Sequence, residues 1–167
     1  MQILKQHWIV CAFILGTALT PQMGFSAGNC KNVSGHIVET LLPFGAPNDP
    51  LGRVLGTVTG VLNGSKTAIL DSLVPGPGGV LTATTKDIFV TNTRDLLWAS
   101  GVAVFTPIPG QPPGFFTDDL TLTIVGGSGK FEGATGTIKV VGRSENLFSP
   151  NPGDAFFDLD YRGEVCQ

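Results

Sequence analysis

The residue of this chain best suited to chemistry is a single glutamate within an apolar segment. Glu39 lies in residues 37–42, IVETLL, and in a β-strand it would share one face with Ile37 and Leu41. A carboxylate on an apolar face either points into a pocket or looks outward at an oligomer interface. Inside a dry pocket its pKa would rise, which suits a general base or a charge that stabilises a developing cation. Glu39 is therefore the first catalytic candidate.

Three aromatic residues are candidates for contacting a ligand beside it. Tyr161, the one tyrosine of the chain, shares the apolar side of the predicted last strand with Phe157. Its hydroxyl can donate a hydrogen bond to a ligand carbonyl or epoxide, which makes Tyr161 the second catalytic candidate; the alternative is a core tyrosine with a satisfied hydroxyl. Phe157 and Trp98 are the ligand-binding candidates of the same cavity, and for Trp98 a place in the core is the alternative.

The other residue types exclude several kinds of site. His36 is the one histidine outside the N-terminal leader, so a multi-histidine metal site is excluded and a catalytic triad would depend on that residue alone. Once the predicted N-terminal leader, which contains Cys11, is removed, Cys30 and Cys166 lie near the two ends of the remaining chain. In an oxidising compartment they are expected to form a disulfide; two free thiols are the alternative. Bridged cysteines supply neither a nucleophile nor a zinc ligand. We therefore expect no metal and no cofactor.

The N-terminal residues have the order of a secretory signal peptide. Lys5 precedes an apolar run, 8–19, which Pro21 ends, and small residues follow at 26–28. The run is too short to span a bilayer comfortably. We predict a signal peptide over 1–27 and a single domain over 28–167, secreted to an extracellular or periplasmic space without a membrane span. Charged residues make up 14% of the chain, its net charge is −3, and no basic patch exists, so nucleic acid is not an expected partner.

Alternating apolar and polar residues, rich in glycine and β-branched types, predict an all-β fold. Asn63-Gly64 is a type I′ hairpin signal. Alternation places Asp158, Asp160 and Glu164 on the solvent side of the last strand, but it does not tell which face of the other strands is the lumen. The eight predicted strands are 33–42, 53–63, 66–73, 79–91, 96–106, 117–125, 135–144 and 154–165.

A glycine-rich run, GGSGKFEG at 126–133, joins two of these strands. It is not a phosphate loop, because Ile124 and Phe131 stand where that motif requires glycine and serine or threonine. The run resembles the glycine turn of the allene oxide cyclase and dirigent protein superfamily. Asn48-Asp49-Pro50-Leu51 is similar to the motif after the first dirigent strand, and Glu39 stands where allene oxide cyclases carry an acidic residue.

This resemblance implies an eight-stranded antiparallel β-barrel whose first and last strands are neighbours, an arrangement that agrees with one bridge between Cys30 and Cys166. It implies that Asp49 lies near a ligand pocket, although a turn-forming role explains Asp49 equally well. Relatives are often trimers, which leaves a homo-oligomer, dimer or trimer, open.

Two functions follow as expectations. One is a cofactor-independent isomerase or cyclase, or a dirigent-type stereocontrol protein, that binds a small hydrophobic molecule and uses Glu39 and Tyr161. The other is a non-enzymatic exported barrel that binds a hydrophobic ligand or is structural. Dirigent proteins carry an acidic residue and an arginine around the glycine turn, where this chain has Lys130 and Ala134-Thr135. The resemblance therefore does not extend to the site of a lignan-coupling protein.

Overall fold

A computed structural model describes residues 28–42, 51–151 and 153–167. The predicted signal peptide and Asp49 lie outside the described residues. In the part that is described, no helix is both long enough and apolar enough to cross a bilayer.

The described residues form a closed barrel of eight antiparallel strands in which each strand pairs with its neighbours in the chain and β1 pairs with β8. All eight strands predicted from alternation are present, with ends that differ by a few residues. The strands are β1 (Cys30–Leu42), β2 (Arg53–Gly60), β3 (Gly64–Pro75), β4 (Leu81–Thr91), β5 (Leu96–Pro107), β6 (Phe116–Ser128), β7 (Thr135–Glu145) and β8 (Phe156–Cys166).

Alternation along each strand separates a buried lumen from a solvent-facing outer surface. Ile37, Leu122 and Ile138 are fully buried in the lumen because every second side chain of a barrel strand points inward. In β8 the acidic residues lie on the outer surface as predicted, where Asp158 and Asp160 both contact His36. Apolar packing in the lumen is the main source of stability of such a barrel.

One end of the barrel carries the disulfide, and we call it the disulfide end. Cys30 and Cys166 are directly opposite each other in the β1–β8 register and form the expected disulfide, with an S–S distance of 2.07 Å. The glycine-rich run forms a turn whose Phe131 is buried against this end. Gly129 adopts a φ of 62°, and a side chain there would clash with the carboxylate of Asp95, so the position favours glycine.

The first hairpin differs from the sequence-based prediction. β2 ends at Gly60, and the amide of Asn63 donates a hydrogen bond to the carbonyl of Gly60. Val61 and Leu62 are therefore the central residues of the turn. Asn63 does not adopt the positive φ that a type I′ turn at Asn63-Gly64 requires. Gly60, the residue that precedes the two central residues, has a φ of 91°.

Candidate functional site

The second end of the barrel contains a cavity whose walls are mostly apolar. The volume of this cavity is about 60 Å³, which is small beside the roughly 300–1,000 Å³ of sites that hold drug-sized ligands. Phe105 and Phe157 contribute to its walls, and Phe148, which is 54% exposed, lines it where the loop after β7 meets the surface. The polar residues of the lining are all buried and are Glu39, Lys66, Thr85, Asp87 and Asp118.

Three of these residues form a buried ionic cluster. The ammonium of Lys66 lies 2.7 Å from Oε1 of Glu39 and 2.7 Å from Oδ1 of Asp87. Glu39 is on β1 and Lys66 on β3, and the residue between them in the register on β2 is Gly56. A side chain at Gly56 would meet Cγ of Glu39 at 2.4 Å, so the glycine leaves the space in which the pair forms.

A second glycine makes room for the hydroxyl that contacts the cluster. Thr85 donates a hydrogen bond to Oδ2 of Asp87. Gly101 faces Thr85 across the β4–β5 ladder, and a Cβ there would lie 2.1 Å from the threonine hydroxyl. The polar cluster therefore occupies volume that two interior glycines leave empty.

Burial and charge act in opposite directions within this cluster. Burial raises the pKa of Glu39 above its usual value of 4.5, and the nearby ammonium of Lys66 opposes part of that rise. Burial disfavours the charge of Lys66, but attraction to Asp87 and Glu39 outweighs it and raises the pKa of Lys66. Lys66 is therefore a permanently charged centre, and Glu39 is a more basic carboxylate than an exposed glutamate.

Asp118 is a separate buried carboxyl on the other side of the cavity. Its Oδ1 accepts a hydrogen bond of 2.9 Å from the hydroxyl of Ser144 on β7. Its Oδ2 is buried and has no hydrogen-bond partner among the described residues. Burial raises the pKa of Asp118 to about 7; the Ser144 bond opposes that rise, and the charge of Glu39 adds to it. The carboxyl therefore titrates near neutral pH.

The structure brings only part of the predicted site together. Glu39 and Phe157 are opposite each other in the β1–β8 register, and both line the cavity. Trp98 lies on the outer surface, 39% exposed, because its position on β5 alternates with the inward-facing Leu97 and Ala99; it does not line this cavity. Asp49 lies outside the described residues.

Tyr161 is buried at a different level of the lumen and is not part of the cavity lining. Its hydroxyl donates a hydrogen bond of 3.0 Å to the carbonyl of Thr59 and accepts one of 2.9 Å from the amide of Leu62. Both partners belong to the first hairpin at the disulfide end, so the hydroxyl fastens this turn to β8.

Sequence reasoning missed three charged residues of the lining, Lys66, Asp87 and Asp118. Each shows the pattern that pointed to Glu39, a charged residue in phase with the apolar face of its strand. Asp118 has the same parity as Leu120 and Leu122, and Lys66 has the same parity as Ala68. A charged residue in phase with an apolar face marks each position. Alternation does not show which of these residues face one another, because that depends on the register in which the strands pair.

The fold and the site together define a disulfide-closed, eight-stranded antiparallel barrel with a buried ionic cluster at the base of an apolar cavity. The eight-stranded antiparallel barrel is the fold implied by the resemblance to the allene oxide cyclase and dirigent superfamily. No protein-family model matches the chain, and no curated protein matches it. Among solved structures, the pterocarpan synthase dirigent protein GePTS1 matches with 17% identity and a TM-score of 0.29, over 90% of this chain and 97% of that one.

Proposed function

We propose that this protein binds a small, largely apolar molecule in the barrel lumen and catalyses its isomerisation or cyclisation without a cofactor. The observation that carries the proposal is the position of Glu39: its carboxylate lines a cavity whose other walls are mainly hydrocarbon. An apolar lining with a few convergent polar groups of perturbed pKa is a feature of small-molecule sites, and at about 60 Å³ this cavity suits a ligand of only a few heavy atoms.

The walls and the carboxylate would have distinct tasks. The hydrocarbon walls restrict the conformations of a flexible ligand, which favours one mode of ring closure over its competitors. Glu39 accepts a proton from the ligand or stabilises positive charge that develops on it. In an isomerisation the proton removed from one atom is returned to another atom of the same molecule, so no oxidant and no second substrate are consumed. Lys66 keeps the carboxylate in a fixed position.

Secretion is part of the proposal. The disulfide between Cys30 and Cys166 is of the type that persists in oxidising compartments. It agrees with the signal peptide predicted over 1–27, and together they favour an exported protein.

A second candidate function is a barrel that binds a hydrophobic ligand without converting it. This candidate is favoured by the balance of charge within the ionic cluster, because the ammonium of Lys66 contacts the carboxylates of both Glu39 and Asp87. Buried ion pairs of this kind also occur as structural features of a lumen.

Incubation with a panel of small epoxides and polyenes distinguishes the enzymatic from the non-enzymatic candidate, because only an enzyme converts them. Products would be separated by chiral chromatography after incubation with the protein, with its Glu39→Gln variant, and with a Glu164→Gln control, whose residue is exposed on the outer face of β8. We expect conversion to fall by at least about 100-fold in Glu39→Gln and to be unchanged in the control.

Binding of the same panel would be followed by ligand-observed NMR. Binding without conversion of any compound would support the non-enzymatic candidate. Absence of both binding and conversion across the panel would overturn the proposal that uncharged epoxides or polyenes are ligands of the lumen. Circular dichroism of each variant confirms that the barrel is intact.

A further inference from the structure

The carboxyl of Asp118 is incompletely paired although it is buried. Asp118 is 6% exposed, Ser144 donates to its Oδ1, and its Oδ2 has no partner in the described part of the chain. A buried polar atom without a partner is costly and marks a place where a ligand group can be accommodated. Since Asp118 lines the cavity, Oδ2 is available to a molecule bound there.

The charges of the lining are also unequal. Three carboxyl groups, on Glu39, Asp87 and Asp118, line the cavity, and Lys66 is the one cationic side chain in that lining. Lys66 contacts Glu39 and Asp87, and no ion pair of Asp118 occurs among the described residues. The uncharged polar groups nearby are the hydroxyls of Thr85 and Ser144. The cavity therefore lacks positive charge on the side where Asp118 lies.

We propose that the ligand of this lumen is an apolar molecule that ends in a protonated amine, with Asp118 as the counter-charge of the ammonium group. This inference depends on the lumenal binding proposed above and adds the chemical class of the ligand. An ammonium group donates hydrogen bonds to Oδ2 and supplies the missing charge. A carboxylate would add a fourth acidic group to the cavity, and an alcohol would satisfy Oδ2 without supplying charge.

The protonation of Asp118 gives this inference a measurable signature. Burial raises the pKa of Asp118 to about 7. Below that pH, Asp118 must lose its proton when a cation binds; above it, the carboxyl is already ionised. An alkylammonium ion keeps its own charge throughout this range. The other groups that face the cavity are Glu39, Lys66 and Asp87, and each is held within the ionic cluster.

The test compares three probes of equal chain length, chosen to suit a small cavity: n-butylamine, 1-butanol and butyrate. Affinities at pH 8 would be measured by NMR titration of the protein. We expect n-butylamine to bind at least about tenfold more tightly than 1-butanol and butyrate to show no saturation. Asp118→Asn should reduce the affinity for the amine by about tenfold or more and change that for the alcohol little.

Asp119→Asn is the matched control, since Asp119 is the next residue of β6 but lies on the outer surface, where it pairs with Lys139. In the wild type the amine affinity should rise about tenfold from pH 6 to pH 8, following ionisation of a carboxyl with a pKa near 7. In Asp118→Asn this pH dependence should be absent. If Asp118→Asn does not fold, the comparison of the three probes and the pH profile of the wild type still test whether Asp118 binds an ammonium group.

The outcomes separate this inference from the proposed function. Binding of 1-butanol or butyrate as tightly as n-butylamine would overturn the amine assignment and leave lumenal binding intact. No binding of any probe would overturn both. Amine binding with no conversion of any substrate would support the inference and contradict only the enzymatic proposal.

Discussion

Replacing Asp118 by asparagine should stabilise the protein at pH 8 and have little effect at pH 4. The pKa of this carboxyl is about 7 in the folded protein, against an ordinary value of 3.8. Each pKa unit corresponds to about 1.4 kcal/mol, so ionising the buried group costs on the order of 4 kcal/mol of folding free energy at pH 8. The asparagine amide would place an unpaired donor where Oδ2 lies, which costs about 1 kcal/mol. The net gain at pH 8 is therefore about 3 kcal/mol.

The direction of the pH dependence follows from proton counts. Below about pH 3 the carboxyl is protonated in both the folded and the unfolded states, and it contributes no penalty. Between about pH 4 and pH 7 the unfolded chain releases the proton and the folded barrel retains it, so stability of the wild type falls as the pH rises. Above pH 7 both states are ionised and the penalty is constant. The variant lacks this decline.

Urea unfolding of the wild type and of Asp118→Asn, followed by circular dichroism between pH 4 and pH 8 with the disulfide intact, measures the difference. The two proteins should be within about 1 kcal/mol at pH 4 and diverge as the pH rises. Asp119→Asn, on the outer surface, should stay within about 0.5 kcal/mol of the wild type throughout. A difference between wild type and Asp118→Asn that is the same at pH 4 and pH 8 would refute the reasoning.

Three other changes have expected results. Lys66→Met leaves two buried carboxylates without their cation and should destabilise the barrel by about 3–5 kcal/mol at neutral pH, measured by urea unfolding. Tyr161→Phe removes a hydroxyl that satisfies two backbone groups of the first hairpin and should cost about 1–3 kcal/mol, measured by the same method. Replacing Cys30 and Cys166 by serine opens a loop closed over a separation of 136 residues and should cost roughly 4–5 kcal/mol in the chain-entropy account, measured by thermal and urea unfolding.

Each of these has a control. The loss in Lys66→Met should shrink at acid pH, where the carboxyls are protonated; a loss independent of pH would contradict a charge effect. Lys86→Met, at an exposed pair on the outer surface, should change stability little. Tyr161→Phe should leave binding of n-butylamine unchanged, because Tyr161 does not line the cavity. Retention of full stability after reduction of the wild-type disulfide would contradict the third prediction.

The number and positions of the strands were accessible from local patterns because a β-strand repeats every two residues, whereas the closed barrel was implied by the family resemblance. Apolar alternation located all eight strands, and the glycine-rich run located the turn between β6 and β7. Two cysteines at the ends of the chain indicated the bridge, because closure of a barrel places its first and last strands side by side. The predicted position of the first turn was wrong: its central residues are Val61 and Leu62, and Asn63 does not adopt a positive φ.

Alternation identified Glu39 as a carboxylate in phase with an apolar face, but it left open whether that face points inward. Closure of the sheet decided this question, because a barrel has one lumen and every strand must turn its apolar side toward it. Register then decided which charges meet: Glu39 faces Lys66 across Gly56, although 27 residues separate them in the chain. Tyr161 and Trp98 have suitable chemistry for a site, yet one lies at the disulfide end and the other on the outer surface. Sequence determines the face on which a side chain lies, and only the paired and closed sheet determines its level in the barrel and the charges that it meets there.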